Sequence, residues 1–414
     1  VIGLDGAVGL TVVTRKIVEQ ATFLAVSNLH LDYFPDHPAE NISLSNLKKG
    51  KEQIAQLSFA NNFVVILAIG DPLFFGLGRL LLANFPAAEI QFYPHFSSVQ
   101  LAFSRLKVPW QDARLCSVHG RSNDELIKLL KQGQEKIAVL TDSQNNPAAI
   151  ARLLLALDLP VCYSFHICEN LGDPTEQISH FPPEQVPQLS NLNQDNFAPL
   201  NVLVLLRQGQ INHLELNNLP LIGISDSSFL SFSDRPSLIT KKEIRLAILG
   251  ELALQPNQTV WDIGAGTGSV SIEIARLCPS SQIVAIEKTS MGSTLITQNC
   301  QRFKVNNITN IYGKAPEALI NLSHPDRIFI GGSGGNLVDI LNVCVQKLKN
   351  QGVIVMSFAT IEHSHEALGW LRNNSWQYRL LQLQIARSTP VKQLTRYNPL
   401  NPVTIITATR NSFQ

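Results

Sequence analysis

The chain has 414 residues, of which 45% are hydrophobic and 16% charged, with 33 Lys and Arg balanced by 32 Asp and Glu. That length exceeds what one hydrophobic core usually serves, so two or three domains are expected, and the composition is too apolar for disorder. A net charge of +1 excludes the global field that gathers nucleic acid or anionic membrane, so any anion recognition has to be local.

No apolar run approaches the roughly 20 residues needed to span a bilayer. The start carries no basic segment followed by an apolar signal core, so a cytoplasmic location is the default expectation. Cys116, Cys162, Cys168, Cys278, Cys300 and Cys344 never fall in a CxxC pair, which points to small buried hydrophobes rather than a zinc site or a disulfide framework.

In chain order, 63–69 (FVVILAI) reads as a buried strand ended by the turn Gly70-Asp71-Pro72. Ser97 to Leu106 has the apolar spacing of one helix face, with Ser97 or Ser98 placed to cap it. Strands are expected at 136–140, 161–168 and 202–206, with a helix over 147–157. From Arg207 to about Arg235 the periodicity breaks down. The expected division is therefore a first domain over 1–210, a linker over 211–236 and a second domain over 237–414. The second domain reads as helix 241–252, strand 259–263, helix 270–277, strand 282–287, helix 292–303 and strand 308–312. Strands alternating with helices at this spacing predict an α/β fold with a doubly wound, largely parallel sheet.

Trp261-Asp262-Ile263-Gly264-Ala265-Gly266-Thr267-Gly268 ends a strand and opens a helix. Glycines there let the backbone turn tightly and approach a ligand, and the helix offers free N–H groups. About 20 residues on stands Glu287, where a carboxylate can accept both hydroxyls of a ribose. The turn is GAGTG rather than GxGxxG, which favours S-adenosylmethionine over a dinucleotide pyrophosphate. Asp262, just ahead of the turn, is placed to position it.

Thr240-Lys241-Lys242-Glu243-Ile244-Arg245, DIGAGTG, AIE, Gly313-Lys314-Ala315-Pro316-Glu317-Ala318-Leu319 and Phe329-Ile330-Gly331-Gly332-Ser333-Gly334-Gly335 resemble, in order, the motifs of the decarboxylating C15-methyltransferases of cobalamin biosynthesis. The resemblance implies a Rossmann-like class I methyltransferase domain whose S-adenosylmethionine site is lined by Thr240, Gly264, Ala265, Gly266, Thr267, Gly268, Glu287 and Ala315. Lys314 stands where that family usually carries an acidic residue. The glycine loop, with Gly332, Ser333 and Gly334, follows a strand and is expected to form a wall admitting a bulky substrate.

In the first half, Gly70-Asp71-Pro72-Leu73-Phe74-Phe75-Gly76, Ser97 to Phe103, Pro109 to Ala113 and Ser117-Val118-His119-Gly120-Arg121 together resemble the C5-methyltransferases of the same pathway, members of the tetrapyrrole methylase family. That implies two α/β subdomains with S-adenosylmethionine in the cleft between them, at Leu4, Gly70, Asp71, Phe74, Ser98 and Val99. Only Val1 and Ile2 precede Gly3, so the family's first strand is expected to be short here. His119 and Arg121 follow a strand and could meet a substrate carboxylate, although His119 could equally be a satisfied loop residue.

The resemblance implies methylation of precorrin-6B, or its cobalt form, at C5 and at C15 with loss of the C12 acetate carboxyl. No metal and no catalytic triad is required, and catalytic residues are left unassigned. A homo-oligomer is expected by the same resemblance, with neither nucleic acid nor membrane as partner. A polycarboxylate substrate calls for local cations, with Arg79, Arg105, Arg121, Lys241, Arg245 and Arg387 as candidates. The alternatives are a class I methyltransferase acting on RNA or protein, for which the chain lacks a basic patch with interleaved aromatics, and an NAD-binding module.

Overall fold

The structure is a computed structural model that describes the chain except for residues 5–9, 27–33, 45, 58–61, 210–213, 392–393 and 411–414. The first half holds two sheets. β1 (Ile2–Leu4), β2 (Phe23–Val26), β3 (Glu40–Ser43) and β4 (Val64–Ile69) pair in parallel in the order β1-β4-β2-β3. β5 (Arg114–Ser117), β6 (Lys136–Leu140), β7 (Cys162–Glu169), β8 (Gln177–Phe181) and β9 (Asn201–Gln208) form a mixed sheet in the order β5-β6-β9-β7-β8. The expected two α/β subdomains are present. β1 is three residues long, and the glycine-containing turn after it lies outside the described residues.

The helix Ser98–Leu106 joins the two sheets. Ser97, rather than Ser98, caps it: Ser97 Oγ accepts from Gln100 N at 3.3 Å, and Gln100 Oε1 accepts from Ser97 N at 2.8 Å. This reciprocal pair satisfies two backbone donors and pins the chain where it leaves the first sheet for the second.

The second half is one seven-stranded sheet in the order β12-β11-β10-β13-β14-β18-β15, with β10 (Thr259–Ile263), β11 (Gln282–Glu287), β12 (Ile308–Tyr312), β13 (Arg327–Ile330), β14 (Val353–Phe358), β15 (Gln377–Leu383) and β18 (Val403–Thr409). Its first five strands pair in parallel, and β18 alone runs the other way, pairing antiparallel with both β14 and β15. Side chains alternate across the pleat. Trp261 and Ile263 pack under the helices Leu337–Lys347 and Ile361–Asn373, while Val260 packs under Lys242–Leu252 and Ser269–Leu277. Both faces are covered, which is the doubly wound arrangement the strand and helix rhythm predicts.

The stretch expected to be a linker is packed. Ile224 and Phe229 are fully buried against Ile239, Ile272 and Phe303, and the backbone runs through the short turns Leu216–Asn218 and Asp226–Ser228. A 3-10 turn has no amphipathic period to read, so its absence of pattern says nothing about burial. β9 also continues two residues past the expected strand end.

The halves meet at Asp158, which ends the helix Pro147–Leu157 in the left-handed conformation. Its carboxylate accepts from the amides of Asp226 and Ser227 at 3.0 and 3.1 Å and from the Ser225 hydroxyl. A hairpin of β16 (Ala386–Val391) and β17 (Leu394–Pro399) reaches the same helix and carries Arg387 to within 3.7 Å of Asp158. Among the described residues, no helix is long and apolar enough to cross a membrane.

Candidate functional sites

The second half gathers its glycine turn, Glu287 and the glycine loop at the C-terminal edge of β10, β11 and β13, where open α/β sheets bind ligands. Glu287, 7% exposed, accepts from Gly266 N at 3.0 Å through Oε2, and from Thr289 N and Oγ1 at 2.9 and 2.8 Å through Oε1. Gly264 packs on Gly332, and the Gly313 amide donates to the Glu287 carbonyl at 3.0 Å, which brings the Ala315 segment to the same edge. Asn299 fastens Thr267 from behind, donating to its carbonyl at 2.8 Å.

Asp262 is buried beneath the turn. Its Oδ2 accepts from Ser271 N at 3.1 Å and from Ser271 Oγ at 2.5 Å, while Oδ1 has no partner. It thereby anchors the first turn of the helix Ser269–Leu277 rather than the glycine turn itself, which it was expected to position. Burial, with the nearby Glu287 charge adding to it, pushes the Asp262 carboxyl up to about 6 against the pull of the Ser271 bonds.

A carboxylate offers about four acceptor sites, and three on Glu287 are engaged within the protein, which leaves one for a ligand hydroxyl rather than the two expected. Around Gly266 an added Cβ would meet nothing within 4 Å. An open space flanked by a free lone pair and a helix N-terminus suits a nucleoside with a polar tail, so the donor set fits S-adenosylmethionine.

In the first half a cleft of about 450 Å³ lies between the two sheets. Leu4, Gly70, Asp71, Phe74 and Ser98 line it together with His119 and Arg121, so residues expected on separate motifs meet. Val99 does not reach the cleft with its side chain; it is buried against Phe103 and Val204. His119 Nδ1 lies 2.9 Å from the Thr141 carbonyl, which can only accept, so Nδ1 is the donor. His119 is thus both a satisfied loop residue and a cleft residue. The Arg121 guanidinium stands 5.4 Å over the Phe75 ring and keeps its fork available. Asn201, which takes a hydrogen bond from Thr141, also lines the cleft; it opens a buried strand, and nothing in its local sequence marks it.

Several expected substrate cations are committed elsewhere. Arg245 is fully buried: Nε donates to Glu273 at 2.7 Å, Nη1 to Asp226 at 2.7 Å and to the Thr240 carbonyl, and Nη2 to the Ile224 carbonyl. It cannot reach a substrate carboxylate and is corrected to a structural hub, because a helix-face arginine looks the same in sequence whether its face is wet or dry. Arg387 binds Glu243 and Asp226 at 2.7 and 2.9 Å. Lys241 donates to the Ser237 carbonyl at 2.9 Å, and Arg105 pairs with Glu176 at 2.6 Å. Arg79 is exposed and does not line the cleft. Thr240 stands just ahead of Lys241, the N-cap of the helix Lys242–Leu252 that Arg245 belongs to, with its carbonyl held by that guanidinium.

Residues 232–410 match the family described as precorrin methyltransferase domain, and residues 2–187 match the tetrapyrrole (corrin/porphyrin) methylases. A precorrin-6Y C(5,15)-methyltransferase (decarboxylating) of Sinorhizobium sp is 32% identical over 413 residues, 97% of this chain and 94% of the relative. The chain belongs to this family. It is a methyltransferase, which sets aside the NAD-binding alternative. Another member of the family, from Mycobacterium tuberculosis, is 27% identical over 97% of both chains. A cobalt-precorrin-6B C(15)-methyltransferase (decarboxylating) of Salmonella typhimurium is 36% identical over 44% of this chain and 94% of its own. A solved precorrin-6y C5,15-methyltransferase structure from Geobacter metallireducens covers 46% of this chain and 98% of its own, with 37% identity and a TM-score of 0.44.

Proposed function

We propose that the two halves are two methyl-transfer sites acting on one precorrin in cobalamin biosynthesis: the first methylates C5, and the second methylates C15 and removes the C12 acetate carboxyl. The observation that carries this is that each half holds its own strand-end site within a chain of which 97% is matched by a C5,15 relative. The full-length relatives are named for precorrin-6Y and the shorter C15 enzymes for cobalt-precorrin, which favours the metal-free ring as substrate.

Bound S-adenosylmethionine supplies an activated methyl group in each site. In the second site Glu287 holds a ribose hydroxyl through its remaining lone pair, the 264–268 turn offers backbone donors, and Thr240 and Ala315 complete the walls. In the first, Leu4, Gly70, Asp71, Phe74, Ser98 and the Val99 backbone line the donor side, and His119 and Arg121 face the substrate. The protein's task is to hold the ring carbon in line at about 3 to 3.5 Å with water excluded. At C15 the ring carbon would take the methyl group as the methyl–sulfur bond breaks, its electron pair leaving with sulfur as S-adenosylhomocysteine, and the bond from the C12 acetate to its carboxyl would break. The electron pair of this carbon–carbon bond stays in the conjugated ring as carbon dioxide leaves.

The deciding experiment incubates the chain with precorrin-6B and S-adenosylmethionine and weighs the product. Gain of two methyl groups with loss of one carbon dioxide is the expected result; a product with neither change refutes the reading.

A further inference from the structure

The second site lacks an assigned cation. Lys241, Arg245 and Arg387, the basic residues of the second half that its sequence singles out, are held by carbonyls and carboxylates of the protein itself. A polycarboxylate substrate still needs a counter-charge at the edge where the glycine turn lies.

Lys288 directly follows Glu287, is exposed, and makes no ion pair among the described residues. Its side chain lies along the glycine loop. A Cβ at Gly334, whose φ is +60°, would stand 2.7 Å from Lys288 Nζ and 3.5 Å from its Cδ and Cε. The missing side chain at 334 is what makes room for the ammonium there. The loop expected to admit the substrate thus carries a free positive charge one residue from the carboxylate proposed to hold the donor.

The same edge is apolar where it meets solvent. Met291, Tyr312, Val338 and Ile361 are 49, 65, 39 and 82% exposed. They stand at the ends of β12 and at the starts of the helices that follow β11, β13 and β14. An apolar rim with exposed lysines, Lys288 along the glycine loop and Lys314 beside Ala315, complements a flat macrocycle that carries carboxylates on its periphery.

We propose that Lys288 is the specificity-determining cation of the second site, binding a peripheral carboxylate of the tetrapyrrole with its ammonium seated over Gly334. The inference rests on the assignment of C15 chemistry to this half. The carboxylate bound is not the one that leaves, because a cation over that group would hold its charge and oppose the loss of carbon dioxide.

The test uses the full chain, its Lys288→Met and Lys288→Arg variants, and precorrin-6B. Lys288→Met is expected to raise KM for the C15 reaction about tenfold, the worth of one charge-assisted hydrogen bond, and to weaken the dependence of KM on salt. kcat, the calorimetric affinity for S-adenosylmethionine and C5 methylation stay at the wild-type level, and Lys288→Arg recovers most of the KM. An unchanged KM in Lys288→Met overturns the proposal. A wild-type chain that binds the donor and methylates C5 but never C15 overturns the assignment of the second half instead.

Discussion

Gly264 and Gly332 pack so closely that a Cβ on Gly264 would stand 2.4 Å from the Gly332 carbonyl oxygen and 2.7 Å from its amide nitrogen. Gly264→Ala should therefore force the turn and the glycine loop apart, at a cost of about 1–3 kcal/mol. Gly266→Ala meets nothing within 4 Å, so it costs only the left-handed backbone penalty of about 1 kcal/mol while placing its methyl in the open space before the turn. Both variants, and Glu287→Ala, are expected to lose C15 methylation and decarboxylation and to keep C5 methylation, read by product mass. Equal loss of both methylations would contradict independent sites.

Arg245 pairs with Asp226 and Glu273 in a fully buried cluster, where Arg387 is the second cation on Asp226. Removing one partner of a buried pair strands the others, so Arg245→Ala should cost about 3–5 kcal/mol. Urea titration followed by fluorescence of the tryptophans, of which Trp261, Trp370 and Trp376 are in the second half, reads this directly. A change below about 1 kcal/mol would mean the cluster is not under tension of charge.

Asp262 makes stability depend on pH in the reverse of the usual carboxylate sense. Burial raises its folded-state value from 3.8 to about 6, so between those values the folded chain binds more protons than the unfolded one. Its contribution is present below pH 3.8 and is lost as pH rises to about 6. The stability of the wild type relative to Asp262→Asn should fall by about 3 kcal/mol across that window and be flat above it. A difference that does not vary with pH would show that the carboxyl ionises freely.

Asp158 ties the halves through the 225–227 backbone and side chains. Asp158→Ala removes these acceptors and should cost about 2 kcal/mol. In calorimetry the melting of the two halves should move apart. Both methylations should persist, since no proposed site residue is touched. Loss of either one would place the junction in the machinery.

Much of the architecture was legible locally. The strands over 136–140, 259–263, 282–287 and 308–312 and the helix over 147–157 end where their sequences say they end, because runs of buried branched residues and a cap such as Asn146, whose side chain accepts from Ala149 N at the start of that helix, are interactions within a few residues. The glycine turn and Glu287 were legible for the same reason: their spacing is set by one strand, one helix and one more strand. The packing of 214–239 and the fates of Arg245, Arg387 and Lys241 were not. A cation's partners come from elements up to 161 residues away, as with Arg387 and Asp226, and no local pattern records them.

By itself, then, the chain's order of residues determined two α/β halves, a strand-end glycine turn in the second and the motifs on which the resemblance to the precorrin methyltransferases rests, since these follow from periodicity and short motifs. Tertiary structure alone decided which cations remain free to meet a substrate. That outcome depends on which carboxylates and carbonyls the fold delivers to each guanidinium or ammonium, and on a bare Gly334 lying beside Lys288.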